Sequence, residues 1–465
     1  MHVAILGAYG SAGVATAERL ADADEVDRLT LLDGGEPGGG LCILRGCMPS
    51  KEVLSAAAHR YHARHDERLR GEPPEIDLER VVAGKDAHIH GFAEHRRNAV
   101  HALATHDGVE FVGENTRFVG AGTLAVGDRE LTPDYVVVAT GSTVNVPDTP
   151  GLDEVPYSTS ADVLDATEFG DSGIVMGFGY VGVELAAYLA EVGVDLTVVE
   201  HDDRPLDEAD PEFGDDLLAL YREEFDIDVR TNVSEQRVER TDDGGVRMYL
   251  TGESGEEVVE ADQLFLFTGR RPNVDGLNLE ATGLEAERGW VEPTMQSRDD
   301  DRVFVVGDAN GHEPILHVAK EQGFLAADNV LAHAAGKELE PYENLHHHVI
   351  FSGASVYPYV RVGHSEQSAD DAGVNYVSVS REASDDGVFK TKYATRGRAK
   401  LVVDADDGTV LGYQGLHYHA DVMAKTMQVV VERELRVDEI PDRAYHPTTP
   451  EIIDGLLRAA KSELR

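Results

Sequence analysis

Two side chains in this 465-residue chain carry thiol chemistry, and they lie close together: Cys42 and Cys47, with four residues between them. There is no other cysteine, so a disulfide scaffold is out of reach for a chain this long. Two thiols at this spacing point to catalysis or to metal binding. A second kind of chemistry is written in glycine. Gly177, Gly179 and Gly182 have the G-x-G-x-x-G spacing that lets a turn bring its backbone up to a pyrophosphate. The helix that follows such a turn adds amide donors and the positive end of its dipole. Glu200, 23 residues after the first glycine, is placed for a ribose hydroxyl. Gly7, Gly10 and Gly13 form a related turn with one extra residue. Here Gly10 and Gly13 keep the second and third roles, Ala8 stands at the usual first position, and Tyr9 crowds the loop. Asp33 is placed as the adenosine-ribose acid of this turn.

These motifs need elements to hold them, and the apolar pattern supplies them. VAILGAYGSAG (3–13) and IVMGFGYVG (174–182) each read as a strand and a turn. Each leads to an alanine-rich helix, Val14–Ala21 and Val183–Val192, and then to a strand ending in an acid, LTLLD at Asp33 and LTVVE at Glu200. The motif therefore occurs twice, as two dinucleotide-binding units. Each unit has a later strand ending in Thr-Gly: Tyr135–Gly141, with Thr140 and Gly141, and Leu264–Gly269, with Gly269. Another strand, Val303–Asp308, ends in Gly307 and Asp308. The spacing predicts a long helix between Asp86 and Thr105, strands in Val349–Val362, Val374–Val379 and Lys400–Tyr413, and a helix over Asp421–Glu434. The resulting fold class is α/β, with two Rossmann-like dinucleotide-binding domains and a C-terminal α+β domain. The regions are 1–145, 146–272, 273–340 and 341–465, the third rejoining the first.

Composition narrows the function. Asp plus Glu number 87 against 41 Lys plus Arg, a formal charge of −46. That field repels nucleic acid and anionic membranes. No run of 18 apolar residues exists to span a bilayer, and the N-terminus reads as a core strand, so a cytoplasmic location is expected. The acids are dispersed, and only nine lysines are present. Molar salt, with a Debye length of about 3 Å, would relieve the self-repulsion. The composition resembles cytoplasmic proteins of salt-accumulating halophilic archaea.

The segment from Gly39 and Gly40 through Leu41, Cys42, Ile43, Leu44, Arg45, Gly46, Cys47, Met48, Pro49 and Ser50 to Lys51 resembles the redox-active motif of the pyridine nucleotide-disulfide oxidoreductases. Leu41 and Leu44 replace the usual Thr and Asn. VFVVGD (303–308) and LHVAKEQG (316–323) are similar to that family's second flavin segment and the helix beneath the flavin ring. HPTTPE (446–451) resembles its HPTxxE segment. The resemblance spans nearly the whole chain. It implies FAD in the first unit, NAD(P)H in the second, and a redox-active Cys42–Cys47 disulfide. It implies that Cys47 lies over the flavin and that Cys42 attacks the substrate disulfide. His446, oriented by Glu451, then serves as acid and base across a homodimer interface. A Lys51–Glu184 ion pair is expected beside the flavin. No metal is expected: zinc would need further soft ligands near the thiols. The histidines at 346, 347 and 348, at 417 and 419 (one strand face), and at 88, 90 and 95 (one helix) read as packing or solvated groups.

The substrate implied is a small-molecule disulfide. Family branches that reduce mercury or thioredoxin need a second C-terminal cysteine pair, and residues 48–465 contain no Cys. Bis-γ-glutamylcystine fits the halophilic composition best, and lipoamide is the alternative. Against lipoamide stand Leu41, Leu44 and the Ala444-Tyr445 pair before His446. A redox-sensing flavoprotein without catalysis would not need the complete Cys42, Cys47, His446 and Glu451 relay. Glu200 favours NADH, while His201 and Arg204 could serve a 2′-phosphate.

Overall fold

A computed structural model describes every residue except Ser254, Arg288 and Ala444. The chain divides into two compact units. The first gathers residues 1–49, 83–145 and 270–344, and the second gathers 50–82, 146–269 and 345–465.

The first unit is built on a parallel five-stranded sheet. Its order is Val303–Val305, Tyr135–Val138, His2–Leu6, Arg28–Leu32 and Val109–Val112. The strands are nearly unbroken apolar runs because both faces are covered, Val3, Ile5 and Leu29 by helices and Leu6, Leu32 and Val136 by Phe118, Leu124 and Val126 of a second, antiparallel sheet. The helix Ser11–Leu20 starts three residues earlier than its apolar pattern suggests, directly after the glycine turn. Its small residues let the helix Leu316–Ala334 cross close by: a Cβ on Gly323 would sit 2.5 Å from the Ala12 carbonyl oxygen. Thr16 Oγ1 donates to the Gly323 carbonyl at 3.0 Å across that crossing. A three-stranded antiparallel sheet, Thr116–Gly120, Thr123–Val126 and Arg129–Leu131, completes this unit's sheets with the short pair Ser142–Val144 and Arg270–Pro272.

The second unit repeats the plan. Its parallel sheet runs Asp228–Arg230, Asp195–Val199, Ser172–Met176, Gln263–Leu266 and Ser158–Thr159. Its antiparallel meander is Val233–Arg240, Val246–Gly252 and Gly255–Ala261. The same unit carries a five-stranded antiparallel sheet: His347–Ile350, Tyr359–Gly363, Val410–His417, Gly397–Asp404 and Tyr376–Glu382. Helices Ala420–Glu432 and Glu451–Glu463 cover it through Met423, Met427, Ile452 and Leu456. Two of the runs read as sheet strands are each a pair of strands. Val349–Val362 breaks where Gly353, Ala354 and Ser355 take positive φ, and 400–413 breaks at a turn in which the Asp404 carboxylate accepts two backbone amides. No helix among the described residues is long and apolar enough to cross a membrane.

One buried ion cluster ties elements of the second unit. Lys400 Nζ lies 3.0 Å from both Asp210 and Glu366 and also contacts Glu212. Burial works against the ammonium, but the three carboxylates hold its pKa above the ordinary lysine value. Gln414 holds Asp210 from both sides, accepting its amide and donating to its carboxylate. Lys400→Met leaves the fully buried Asp210 carboxylate without its cation. It should therefore cost about 3–5 kcal/mol, read as a lower thermal unfolding midpoint in concentrated KCl.

Candidate active site

The two glycine turns are near copies. Gly7 and Gly177 have φ of +91° and +95°, and a side chain on either would strike a carbonyl, that of Ala139 at 2.3 Å or of Phe267 at 2.7 Å. A Cβ on Gly13 would lie 2.2 Å from the Gly7 oxygen, and one on Gly182 would lie 2.2 Å from the Gly177 oxygen. Gly7 therefore takes the first-glycine role in the longer loop, not Ala8 as its position suggests. Tyr9 does not crowd the turn. Its ring packs against Phe111 and His101, its hydroxyl meets His101 Nε2 at 2.8 Å, and Gly38 makes room for it.

The acids after the second strands fasten these turns. Asp33 accepts the Tyr9 amide at 2.9 Å and the Gly35 amide at 3.0 Å. Burial nonetheless pushes its carboxyl above the usual range. Glu200 accepts the Phe178 amide at 2.7 Å, and its other oxygen accepts the His201 amide at 2.7 Å. Gly179 precedes the helix Tyr180–Glu191, and Gly269 takes φ +84° in its loop.

Within the first unit, one cavity of about 950 Å³ gathers Gly7, Gly10, Asp33, Gly40, Thr140, Gly141, Gly307 and Asp308 with both cysteines. Its size is at the upper end for ligand sites. Cys42 sits in the short helix Leu41–Arg45, and Cys47 opens the helix Cys47–His65. Gly46 makes this approach feasible, since a Cβ there would meet Cys42 Cα at 3.1 Å. The mutual hydrogen bond of Cys42 and Cys47, and then burial, hold the Cys42 thiol far above the ordinary range, with Arg96 opposing.

The cavity fits a dinucleotide cofactor. Thr140 Oγ1 is buried there without a hydrogen-bond partner. Asp308 accepts from Ser142 Oγ at 2.6 Å, and Arg270 donates to the same hydroxyl at 2.8 Å. Ser142, Arg270 and Arg96, whose guanidinium donates to the Tyr9 carbonyl at 3.1 Å, escaped the sequence reading. Only the pairing of Arg270–Pro272 with Ser142–Val144 brings the first two together.

In the second unit, Lys51 Nζ lies 2.8 Å from Glu184 Oε2 and 4.1 Å above the Phe351 ring. The other Glu184 oxygen accepts the Phe351 amide at 3.0 Å. His446 is largely exposed, with Nδ1 3.0 Å from Glu451 Oε2. The ring, and then the Thr448 amide, hold the Glu451 carboxyl below its usual value. Ala444, used above to weigh the substrate, lies outside the described residues. His88, His90 and His95 are exposed on the helix Leu78–Leu103. His417 and His419 do not share a strand face. The strand ends at His417, which is buried and drawn down to a pKa of about 4, while His419 stacks on Tyr418.

Two dinucleotide turns, a dithiol at one of them and a five-stranded antiparallel sheet toward the C-terminus define a flavin- and nicotinamide-linked dithiol oxidoreductase. Residues 1–323 match the pyridine nucleotide-disulphide oxidoreductase family, and residues 351–456 match its dimerisation domain. The chain belongs to this family, whose members are FAD-dependent and use NAD(P)H. It is 29% identical to a mercuric reductase of Streptomyces lividans over 453 residues, 95% of this chain and 92% of that protein. It is 28% identical to a dihydrolipoyl dehydrogenase of Halobacterium salinarum over 433 residues, 89% and 87% of the two chains. The fold matches that of RclA, an HOCl-induced flavoprotein disulfide reductase from Escherichia coli, with a TM-score of 0.82 at 21% identity, covering 98% of this chain and 99% of that one. Gly7→Ala should weaken FAD retention at least about tenfold, equivalent to 1.4 kcal/mol, because its Cβ meets the Ala139 carbonyl. The ratio of visible flavin absorbance to protein absorbance after gel filtration reads this directly.

Proposed function

We propose that the chain is an NADH-dependent reductase of a small anionic disulfide, best matched by bis-γ-glutamylcystine, and that it acts as a homodimer in a salt-rich cytoplasm. The observation that carries this reading is the hydrogen-bonded Cys42–Cys47 pair in the wall of the cavity that also holds Gly7, Asp33, Thr140 and Asp308. These cavity residues would hold FAD, which when bound supplies the two-electron link between nicotinamide and the cysteine pair. Arg45, between the two cysteines in sequence, is exposed on the same cavity lining and offers a cation to a substrate carboxylate. In a chain of net charge −46 such a cation beside the thiols favours an acidic substrate.

The residues divide the work as follows. Cys42, once deprotonated, attacks one substrate sulfur and forms a mixed disulfide. The displaced thiolate takes a proton from His446, which Glu451 orients. Cys47 then attacks Cys42 Sγ, the second thiol leaves, and the Cys42–Cys47 disulfide is restored. His446 belongs, in this reading, to the other copy of the dimer, and Lys51 with Glu184 lines the entry to the flavin. Each cycle consumes one NADH and one proton and yields two thiols. Mercuric ion is a poor candidate despite the named relatives, because no cysteine exists beyond the pair. Lipoamide remains the competing substrate, on the strength of the dihydrolipoyl dehydrogenases among the relatives. Steady-state oxidation of NADH with bis-γ-glutamylcystine, lipoamide, glutathione disulfide and Hg²⁺ in concentrated KCl should give the highest kcat/KM for the first. A higher value for lipoamide assigns the chain to the competing activity. Cys42→Ser and Cys47→Ser should each lower disulfide turnover by about 10³-fold or more, because the relay acts as a unit.

Coenzyme choice rests on charge near Glu200. His201 is engaged by Glu235, and Arg204 lies 2.7 Å from Asp203 and 3.7 Å from Asp215. Both cations are thus already neutralised by carboxylates. A 2′-phosphate would meet a net acidic surface, whereas a ribose hydroxyl can donate to Glu200. kcat/KM should favour NADH over NADPH. A tenfold preference for NADPH, about 1.4 kcal/mol, would show that His201 and Arg204 abandon their partners for the phosphate.

A further inference from the structure

Away from the cysteines, the second unit brings together two histidines read above as bland and a glutamate that the sequence pattern did not single out. Glu208 lies in the loop before the helix Pro211–Glu224, while His346 and His348 lie two apart at the start of the strand His347–Ile350. Residues two apart in extended chain present the same face. One ligating atom from each of Glu208, His346 and His348 lies within 4.8 Å of the other two. His348 Nδ1 is 2.9 Å from His346 Nε2. His348 Nε2 reaches within 3.2 Å of Glu208 Oε1, yet it is buried without a well-aligned hydrogen bond to any group. The side chain of His348 is only 3% exposed.

The backbone behind the cluster is held in place. His348 pairs in register with Arg361, and that guanidinium donates to the Glu208 carbonyl at 2.5 Å. Tyr180 donates its hydroxyl to Glu208 Oε1 at 2.5 Å, and its ring lies 5.4 Å from that of His348. Two imidazoles and one carboxylate are a zinc-type donor set that leaves a fourth position for water. Imidazole nitrogens select Zn²⁺, Cu²⁺, Ni²⁺ or Co²⁺ over Ca²⁺ and Mg²⁺.

We propose that Glu208, His346 and His348 form a binding site for one divalent first-row cation of the Zn²⁺ type. A cation there draws Glu208 Oε1 away from the Tyr180 hydroxyl. Tyr180 is the residue after Gly179 in the second dinucleotide turn, so occupancy also alters the handling of the nicotinamide coenzyme.

The test uses the full FAD-loaded chain with Cys42 and Cys47 oxidised, so that neither thiol competes for metal. Zn²⁺ is added in KCl, excess is removed by desalting, and retained metal is measured. One equivalent of Zn²⁺ per chain is expected, and Co²⁺ substitution should give the intense visible bands of a tetrahedral site. His346→Ala and Glu208→Gln should each weaken binding at least about tenfold, since even outer-shell changes at metal sites cost 10–100-fold. Glu208→Gln keeps a group that can still accept from Tyr180, so it guards against a folding artefact. His88→Ala on the exposed helix should leave retention unchanged. Zn²⁺ should shift KM for NADH in the parent protein and not in Glu208→Gln. Failure to retain a stoichiometric cation, or retention that survives both His346→Ala and Glu208→Gln, overturns the proposal.

Discussion

A single backbone contact underlies the architecture: the third glycine of each turn lies against the carbonyl of the first. With Gly13 on Gly7 and Gly182 on Gly177, a Cβ would come within 2.2 Å of that oxygen. The contact brings the helix onto the end of its strand with no side chain between them. The first helical amides then face the space beyond the sheet, where an anion is stabilised by donors and dipole together. The acid ending the next strand completes the arrangement from the other side, Asp33 on the Tyr9 amide and Glu200 on the Phe178 amide. These carboxylates therefore hold the loop as well as offering oxygens to a ribose. The extra residue in the first turn is absorbed without moving either contact, because Tyr9 leaves the loop for a niche beneath Gly38.

What could be read directly from the sequence follows from how local each cause is. The parallel strands are short apolar runs ended by glycine or an acid, and that signal is local. The glycine and cysteine spacings are local too, and the resemblance they carried led to the family. The antiparallel meanders at 116–131 and 233–261 were not anticipated. Their strands are half exposed and alternate weakly, so neither a buried run nor a clear period marks them. Side chains that meet only through the fold were harder still. Nothing in the spacing places Arg270 on Ser142, 128 residues earlier, or Glu208 beside His348. Lys51 and Glu184, 133 residues apart, were joined only through the family resemblance. The role of Gly7 was misread because counting back from Gly13 points to Ala8, whereas φ and the Ala139 carbonyl decide the matter.

The acid excess bears on which of these contacts persist where the protein works. Ion pairs such as Arg19–Asp328 and Arg247–Glu260 are open to solvent. Exposed pairs contribute about 0–1 kcal/mol each and less as salt rises. Concentrated salt therefore removes the repulsion among 87 carboxylates and most of this surface pairing together. Salt screens less the pairs with a buried partner, among them Lys400 with Asp210, Glu212 and Glu366, and the fully buried Glu191 held by Arg60 and Arg64. Arg60 and Arg64 lie on the helix that Cys47 opens, and Glu191 ends the helix that follows the second glycine turn. Lys51 on that same helix reaches Glu184 one face along, partly shielded by the Phe351 ring. Within the second unit, the helix Cys47–His65 is thus fastened to the helix Tyr180–Glu191 by partly or fully buried ion pairs, which salt screens least.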